Sequence, residues 1–407
     1  MIADIEPEEG IGPFDLGRLP RVAFGAGRIA AVPDIVAGHG RHVLLVTGRS
    51  SFRGSRHWPE LLAGLERAGV ALDELVVEGE PSPELVDEAV ATYRSTAVDV
   101  VLGVGGGSVL DTGKAVAGLL RAGTSAMDHL EGVGGGIPYD GPATPFVAVP
   151  TTAGTGSEAT RNAVLSRRGP GGFKKSFRDE RLVARDAVVD PDLLAGLPPR
   201  QVADNGMDAL AQLVESLTST RASPLTDGIA LSGLRAARDG LVPWFVAASS
   251  GSDDAAARSR MAYAALASGM TLAHTGLGSV HGLASPLGAH FPIPHGAACG
   301  ATLVAATRIN LEALRERAPG SAGLARYADA GRALTGRTDL ADDAAHLALL
   351  DLLEDWAGRL GIAGLGRYGL DETSIAGLVS EAGGTSMRTN PVLLTDDEVA
   401  RILRESL

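Results

Sequence analysis

Val98-Asp99-Val100-Val101-Leu102-Gly103-Val104-Gly105-Gly106-Gly107-Ser108-Val109-Leu110-Asp111-Thr112-Gly113-Lys114 is the stretch that decides the fold. Its first seven residues are rich in β-branched valine and read as a strand. Three glycines then turn the chain into a helical pattern. Glycines at such a turn let backbone N–H groups approach a phosphate closely, and the new helix adds its positive N-terminal end. Lys114, about two turns into that helix, could reach phosphate or ribose. The spacing is neither G-x-G-x-x-G nor the P-loop pattern, and a plain tight turn would also use these residues. A second loop, Pro150-Thr151-Thr152-Ala153-Gly154-Thr155-Gly156-Ser157-Glu158, again follows an apolar strand. Two loops of small and hydroxylated residues, each at a strand's carboxyl end in one sheet, point to a nucleotide crevice rather than to two turns.

Working outward, strands are expected at 21–24, 42–46, 75–77, 98–104 and 145–149, with helical segments such as 58–68 and 83–95 between them. This alternation implies βαβ units and a mostly parallel, Rossmann-like α/β sheet. A strand-like cluster at 163–166 and 176–190 flanks Arg167-Arg168-Gly169-Pro170-Gly171-Gly172 and reads as a hairpin or meander. After Asp190 the texture becomes Ala/Leu-rich with helical spacing over 201–218, 224–247, 255–287, 301–317 and 344–360. The boundary falls near 192–198, giving an α/β dinucleotide-binding domain over 1–194 and an all-α domain over 195–407.

The chain's 407 residues suit two or three domains with an ample core. Its 36 Lys+Arg against 49 Asp+Glu give a net charge of −13, an acidic field that argues against nucleic-acid binding. The 54 glycines have no three-residue period and are mixed with Val, Leu and Ala, which excludes collagen and low-complexity disorder. The opening MIADIEPEEG has no apolar leader core, and the apolar run 261–288 carries Tyr, Ser and His and reads as one buried helix. No membrane partner and a cytoplasmic location are therefore expected. The single cysteine, Cys299, excludes an internal disulfide framework and a cysteine cage for metal.

In the helical half, Asp208 and Gln212 lie one turn apart on one helix face, followed by His281 and His295. One carboxylate and two imidazoles can converge on Fe(II), Zn or a similar ion, which would polarise a carbonyl for hydride transfer. A buried structural histidine and a helix-capping Asp208 would account for the same residues.

Taken together these motifs resemble the iron-containing (group III) alcohol dehydrogenase family. The resemblance rests on Gly103-Val104-Gly105-Gly106-Gly107-Ser108 with Asp111 and Lys114, the Thr151–Glu158 loop, Gly206-Met207-Asp208-Ala209-Leu210, and the spaced His281 and His295. It implies a dehydroquinate-synthase-like fold with the active site between the domains, and NAD(P)-linked interconversion of an alcohol and an aldehyde or ketone. It further implies that Gly105, Gly106, Gly107 and Ser108 form the pyrophosphate loop and that Thr151 and Thr152 contact the adenosine side. Asp111 and Lys114 would lie around the ribose and phosphates, and Asn162 near the nicotinamide and substrate. Asp208, His281 and His295 match three of the family's four metal ligands, which leaves Cys299 outside the expected set.

Two departures stand out. The fourth ligand position holds Gln212 instead of His, and an amide oxygen is a weaker donor than imidazole for Fe(II) or Zn. The position four residues after His281, often a second His and a proton relay, holds Ser285; Ser285, water or His290 would substitute. His274 precedes His281 by seven residues, roughly 10 Å along a continuous helix and too far to share an ion. Cofactor choice turns on Gly48, where NAD-preferring relatives tend to carry an acid. Gly48, Arg49 and Ser50 leave room, a positive charge and a hydroxyl for a 2′-phosphate, so NADP(H) is expected, although Arg49 as a solvated surface residue fits equally. The leading expectation is a metal-assisted NAD(P)-dependent alcohol dehydrogenase or carbonyl reductase with a small-molecule substrate, working as a homodimer or larger homo-oligomer. Two other readings stay open. One is a metal-independent oxo-acid reductase resembling maleylacetate reductase, with Arg161 or Arg388 as carboxylate anchor. The other is a non-catalytic nucleotide-binding protein.

Overall fold

Strands β1 (Arg21–Phe24), β2 (His42–Gly48), β3 (Ala71–Val77), β4 (Val100–Gly105) and β5 (Phe146–Pro150) form in a computed structural model that describes residues 11–168 and 171–407. The first ten residues, read above as lacking a leader core, and Gly169 and Pro170 of the expected turn lie outside the described residues. β6 (Asn162–Arg167) and β7 (Phe173–Arg178) pair as an antiparallel hairpin, and β8 (Asp186–Val189) follows. The main sheet is parallel throughout, in the order β1-β8-β5-β4-β2-β3. Its crossovers are α1 (Val32–His39), α2 (His57–Arg67), α3 (Pro83–Tyr93), α4 (Gly107–Leu119) and the single turn α5 (Ala126–His129). β4 and β5 are buried along their whole length because helices and hairpin cover both faces, which is why they read as continuous apolar runs.

The stretch 176–190, expected as part of one meander, divides. A short 3₁₀ turn at Glu180–Leu182 separates β7 from β8, and β8 inserts between β1 and β5 of the main sheet. All four β8 residues are buried, so the strand belongs in the sheet's interior and not on a hairpin edge.

The remainder is helical: α6 (Pro199–Thr218), α7 (Pro224–Ser249), α8 (Ala255–Thr275), α9 (Ser279–His290), α10 (His295–Arg317), α11 (Ala322–Thr335), α12 (Asp342–Arg359), α13 (Glu372–Glu381) and α14 (Asp396–Glu405). They enclose one core built mostly from Ala and Leu. The apolar run 261–288, expected as one helix, is two. Gly276 adopts φ +68°, a left-handed conformation that ends α8, and a β-carbon there would stand 2.6 Å from the Thr389 hydroxyl. The break lets α9 start in a new direction, which carries His281 toward α6. Among the described residues, no helix is long and apolar enough to cross a membrane.

Candidate functional site

A cleft of about 640 Å³ lies where the carboxyl ends of β4 and β5 face α6, α9 and the start of α10. Its sheet side carries Gly107, Ser108, Asp111, Thr152, Thr155, Ser157 and Asn162, and its helical side carries Asp208, Gln212, His281, Ser285 and His295. The two glycine and threonine loops pack on each other. A β-carbon at Gly107 would come within 2.9 Å of Thr155, so only glycine lets the backbone amides at the start of α4 stay open. Gly105 ends β4 and its carbonyl accepts from the Thr151 N–H at 3.0 Å, while Gly106 caps α4 in an extended conformation. Thr151 is buried beside that bond, and Thr152 lines the cleft. Gly48 closes β2, and nothing stands nearer than the Val109 side chain at 3.8 Å from where its β-carbon would be. Ser50 is exposed beyond it. Arg49 is exposed and paired with Glu78 at 3.2 Å, so its charge is already engaged.

Lys114 departs from its expected place around ribose and phosphate, whereas Asp111 lines the cleft. The Lys114 ammonium is fully buried and donates to Ser157 O at 2.8 Å, Ser157 Oγ at 3.0 Å, Thr160 Oγ1 at 2.9 Å and Asn162 O at 2.6 Å. Asp111 accepts from Ser157 Oγ at 2.5 Å and from the Val164 N–H at 3.2 Å. Both side chains tie α4 to the loop after β5, because that loop would otherwise bury unpaired carbonyls and hydroxyls. Burial lowers the Lys114 pKa to about 8 and raises that of Asp111.

On the helical side, Asp208 sits mid-α6 with its Oδ1 3.2 Å from His281 Nε2 and 3.7 Å from His295 Nε2. His281 enters from the first turn of α9 and His295 opens α10. Burial alone would raise the Asp208 pKa, but the two histidines outweigh it and keep the carboxyl below its ordinary value. Burial pushes His295 down to about 4 against the pull of Asp208, leaving its ring neutral and able to offer a lone pair.

Gln212 is near but committed elsewhere. Its Nε2 donates to Asp208 Oδ1 at 3.0 Å and its Oε1 accepts from Ser268 Oγ at 2.7 Å. Cys299, expected outside the site, belongs to it: Sγ lies 3.6 Å from His281 Nε2 and 3.9 Å from His295 Nε2. The ligand atoms of Asp208, His281, His295 and Cys299 all lie within 4.8 Å of one another, and the donor set suits a divalent transition metal. The sequence reads as excluding a cysteine cage and as leaving Cys299 outside the ligands, whereas the fold puts its sulfur in the cluster. The signal that would have found this one is the i, i+4 spacing of His295 and Cys299, which shares a helix face.

Glu215 was also missed. It accepts from His281 Nδ1 at 2.6 Å and from the Val280 N–H at 2.6 Å, and so fixes the ring with Nε2 turned to Asp208. Its spacing of seven residues from Asp208 on one helix was the available sign. His274 accepts from the Gly17 N–H at 3.2 Å and takes no part in the cluster. His290 pairs with Glu381 at 2.8 Å on the surface, which leaves Ser285 facing the cleft one turn after His281. Of the expected anion anchors, Arg161 pairs with Glu180 at 2.5 Å, and Arg388 lies 3.7 Å from Glu131. The cations that line the cleft are Lys174, Arg178 and Arg200, partnered by Glu80, Glu131 and Asp204 at 3.3, 2.7 and 3.0 Å.

Residues 20–191 match the family model for iron-containing alcohol dehydrogenase, and residues 202–407 match that for the Fe-containing alcohol dehydrogenase family, C-terminal. The chain is 32% identical over 354 residues to long-chain-alcohol dehydrogenase 1 of Geobacillus thermodenitrificans, covering 86% of this chain and 85% of that one. Its fold is similar to a solved 1,3-propanediol oxidoreductase (TM-score 0.87, 29% identity, 97% of this chain and 100% of that one). It is also similar to sulfoacetaldehyde reductase from Bifidobacterium kashiwanohense in complex with NAD+ (TM-score 0.81, 28% identity, 97% of this chain and 99% of that one).

Proposed function

The chain belongs to the iron-containing alcohol dehydrogenase family, and we propose that its Asp208, His281 and His295 hold the family's divalent ion, Fe(II) or Zn, while the loops after β4 and β5 hold NAD(P). The protein is an oxidoreductase of the alcohol dehydrogenase kind. The observation that carries the site assignment is the meeting, in one cleft, of a glycine-lined helix start with a buried carboxylate and two imidazoles. When bound, the ion supplies Lewis acidity to a carbonyl oxygen and the nicotinamide supplies hydride.

The rest is the work of this chain's residues. Amides at the start of α4, with Ser108, receive the pyrophosphate, and Thr152 contacts the adenosine side. The Asn162 side chain orients nicotinamide and substrate at the mouth of the cluster. Glu215 accepts from His281 Nδ1–H, which leaves Nε2 as the ring nitrogen that would face the ion. Ser285 Oγ, facing the cleft beside the cluster, passes the proton to or from the substrate oxygen. The substrate is a small alcohol or the matching aldehyde or ketone. An oxo-acid is less well served, because each cation that lines the cleft is already partnered by a carboxylate.

NADP(H) is accepted at the end of β2, since Gly48 presents no carboxylate to a 2′-phosphate. In a cofactor-oxidation screen across aldehydes and ketones, kcat/KM with NADPH should equal or exceed that with NADH. Gly48→Asp, which the open space at Gly48 permits, should shift the ratio toward NADH by about tenfold or more through like-charge repulsion. A strong NADH preference in the unmodified enzyme would remove the NADP assignment. Cofactor binding without turnover on any carbonyl would remove the enzymatic one.

A further inference from the structure

We infer that Cys299 is the fourth ligand of the metal site, a thiolate that takes the place Gln212 does not fill. The inference rests on the reading that Asp208, His281 and His295 hold a divalent ion. Gln212 turns an N–H toward Asp208 Oδ1 at 3.0 Å and its oxygen toward Ser268 at 2.7 Å, so no lone pair of the amide faces the cluster. On α10, Cys299 follows His295 by one turn and presents its sulfur to the same point. Cys299 is fully buried, and an ordinary core cysteine would lie against hydrocarbon. Here the side chain packs in the core of the helical half, yet its sulfur also reaches the Nε2 atoms of two histidines, at 3.6 and 3.9 Å.

Four of the six ligand-to-ligand separations agree with a tetrahedral site, and the other two lie within 4.8 Å. Metal–nitrogen and metal–oxygen bonds of about 2.0–2.1 Å and a metal–sulfur bond of about 2.3 Å put N···O edges near 3.3 Å and N···S edges near 3.6 Å. The corresponding separations are 3.2 and 3.7 Å for nitrogen to oxygen, and 3.6 and 3.9 Å for nitrogen to sulfur. Ligation replaces the S–H bond by a metal–sulfur bond, releases the proton to solvent, and leaves the metal's oxidation state unchanged. Asp208 and the thiolate then supply two negative charges, which balance a divalent ion. A soft sulfur donor also biases the site toward zinc or ferrous iron and away from magnesium or manganese.

Cobalt(II) substitution of the full-length protein tests this. Because Cys299 is the only cysteine, any thiolate-to-cobalt charge-transfer band in the near ultraviolet must come from it. The wild type should take up one equivalent of Co(II), with visible ligand-field bands and the near-ultraviolet band. Cys299→Ser and Cys299→Ala should keep the visible bands and lose the charge-transfer band, while Gln212→Ala should keep both. Visible bands without a charge-transfer band in the wild type would overturn the thiolate and leave the Asp208–His281–His295 site standing. No cobalt uptake by the wild type would overturn both.

Discussion

Asp208→Ala is expected to abolish metal retention and to lower kcat/KM by about a thousandfold, with the fold intact by circular dichroism. Asp208 Oδ1 is the common point of the cluster, 3.2 Å from one imidazole nitrogen and 3.7 Å from the other. The carboxylate is also the anion of the His–Asp–His set, and the neutral His295 ring adds no charge. Removing it takes away a ligand and a negative charge that attracts the dication together. Loss of a Lewis acid that contributes several kcal/mol to the transition state, here about 4, corresponds to about three decades in rate. Asp208→Asn, which preserves shape and packing, should behave alike and so separates charge from volume. Metal content by elemental analysis and steady-state kinetics on both variants decide it. Wild-type turnover in a variant that carries no metal would mean that the cluster is structural.

Lys114→Met is expected to destabilise the protein by about 3–5 kcal/mol, the range found when one partner of a buried charged network is removed. Methionine fills the space of the lysine stem, so the loss reports the ammonium and not a cavity. Three N–H bonds are shared among four acceptors between 2.6 and 3.0 Å, all in the segment after β5 or at the start of β6. Without the ammonium, two backbone carbonyls and two hydroxyls stay buried and poorly paired, and Asp111 loses its cation at 3.7 Å. The loop that carries Thr152 and Thr155 would loosen, so KM for the dinucleotide should rise along with the fall in the urea midpoint. An unchanged midpoint would show that the network around Lys114 contributes nothing to stability.

Parts of the molecule that depend on local spacing were legible in the sequence. Glycine at 105–107 after a valine run can serve few purposes other than a strand-to-helix turn, and alternating apolar runs and helical patterns foretold a parallel sheet. Asp208, His281 and His295 could be singled out by residue type and order, and the fold brings all three to one point. What depends on direction in space was not legible. Gly276 looked compatible with a long helix, yet its left-handed backbone ends α8 and re-aims His281. β8 looked like part of a meander, and only its pairing with β1 and β5 places it inside the main sheet. Lys114 was read as reaching phosphate or ribose from its place about two turns into the helix, but the next loop folds over it and takes up its bonds. Glu215 escaped notice and Cys299 was set outside the ligands, because one cysteine and one glutamate on helices carry little signal until their helices cross.

Chelation of the purified enzyme, followed by metal analysis and activity with NADPH and a carbonyl panel, tests the central claim most directly. The account predicts about one divalent ion per chain before treatment, loss of turnover in step with loss of the ion, and recovery on adding Fe(II) or Zn(II). Undiminished turnover by protein verified to be metal-free would contradict it.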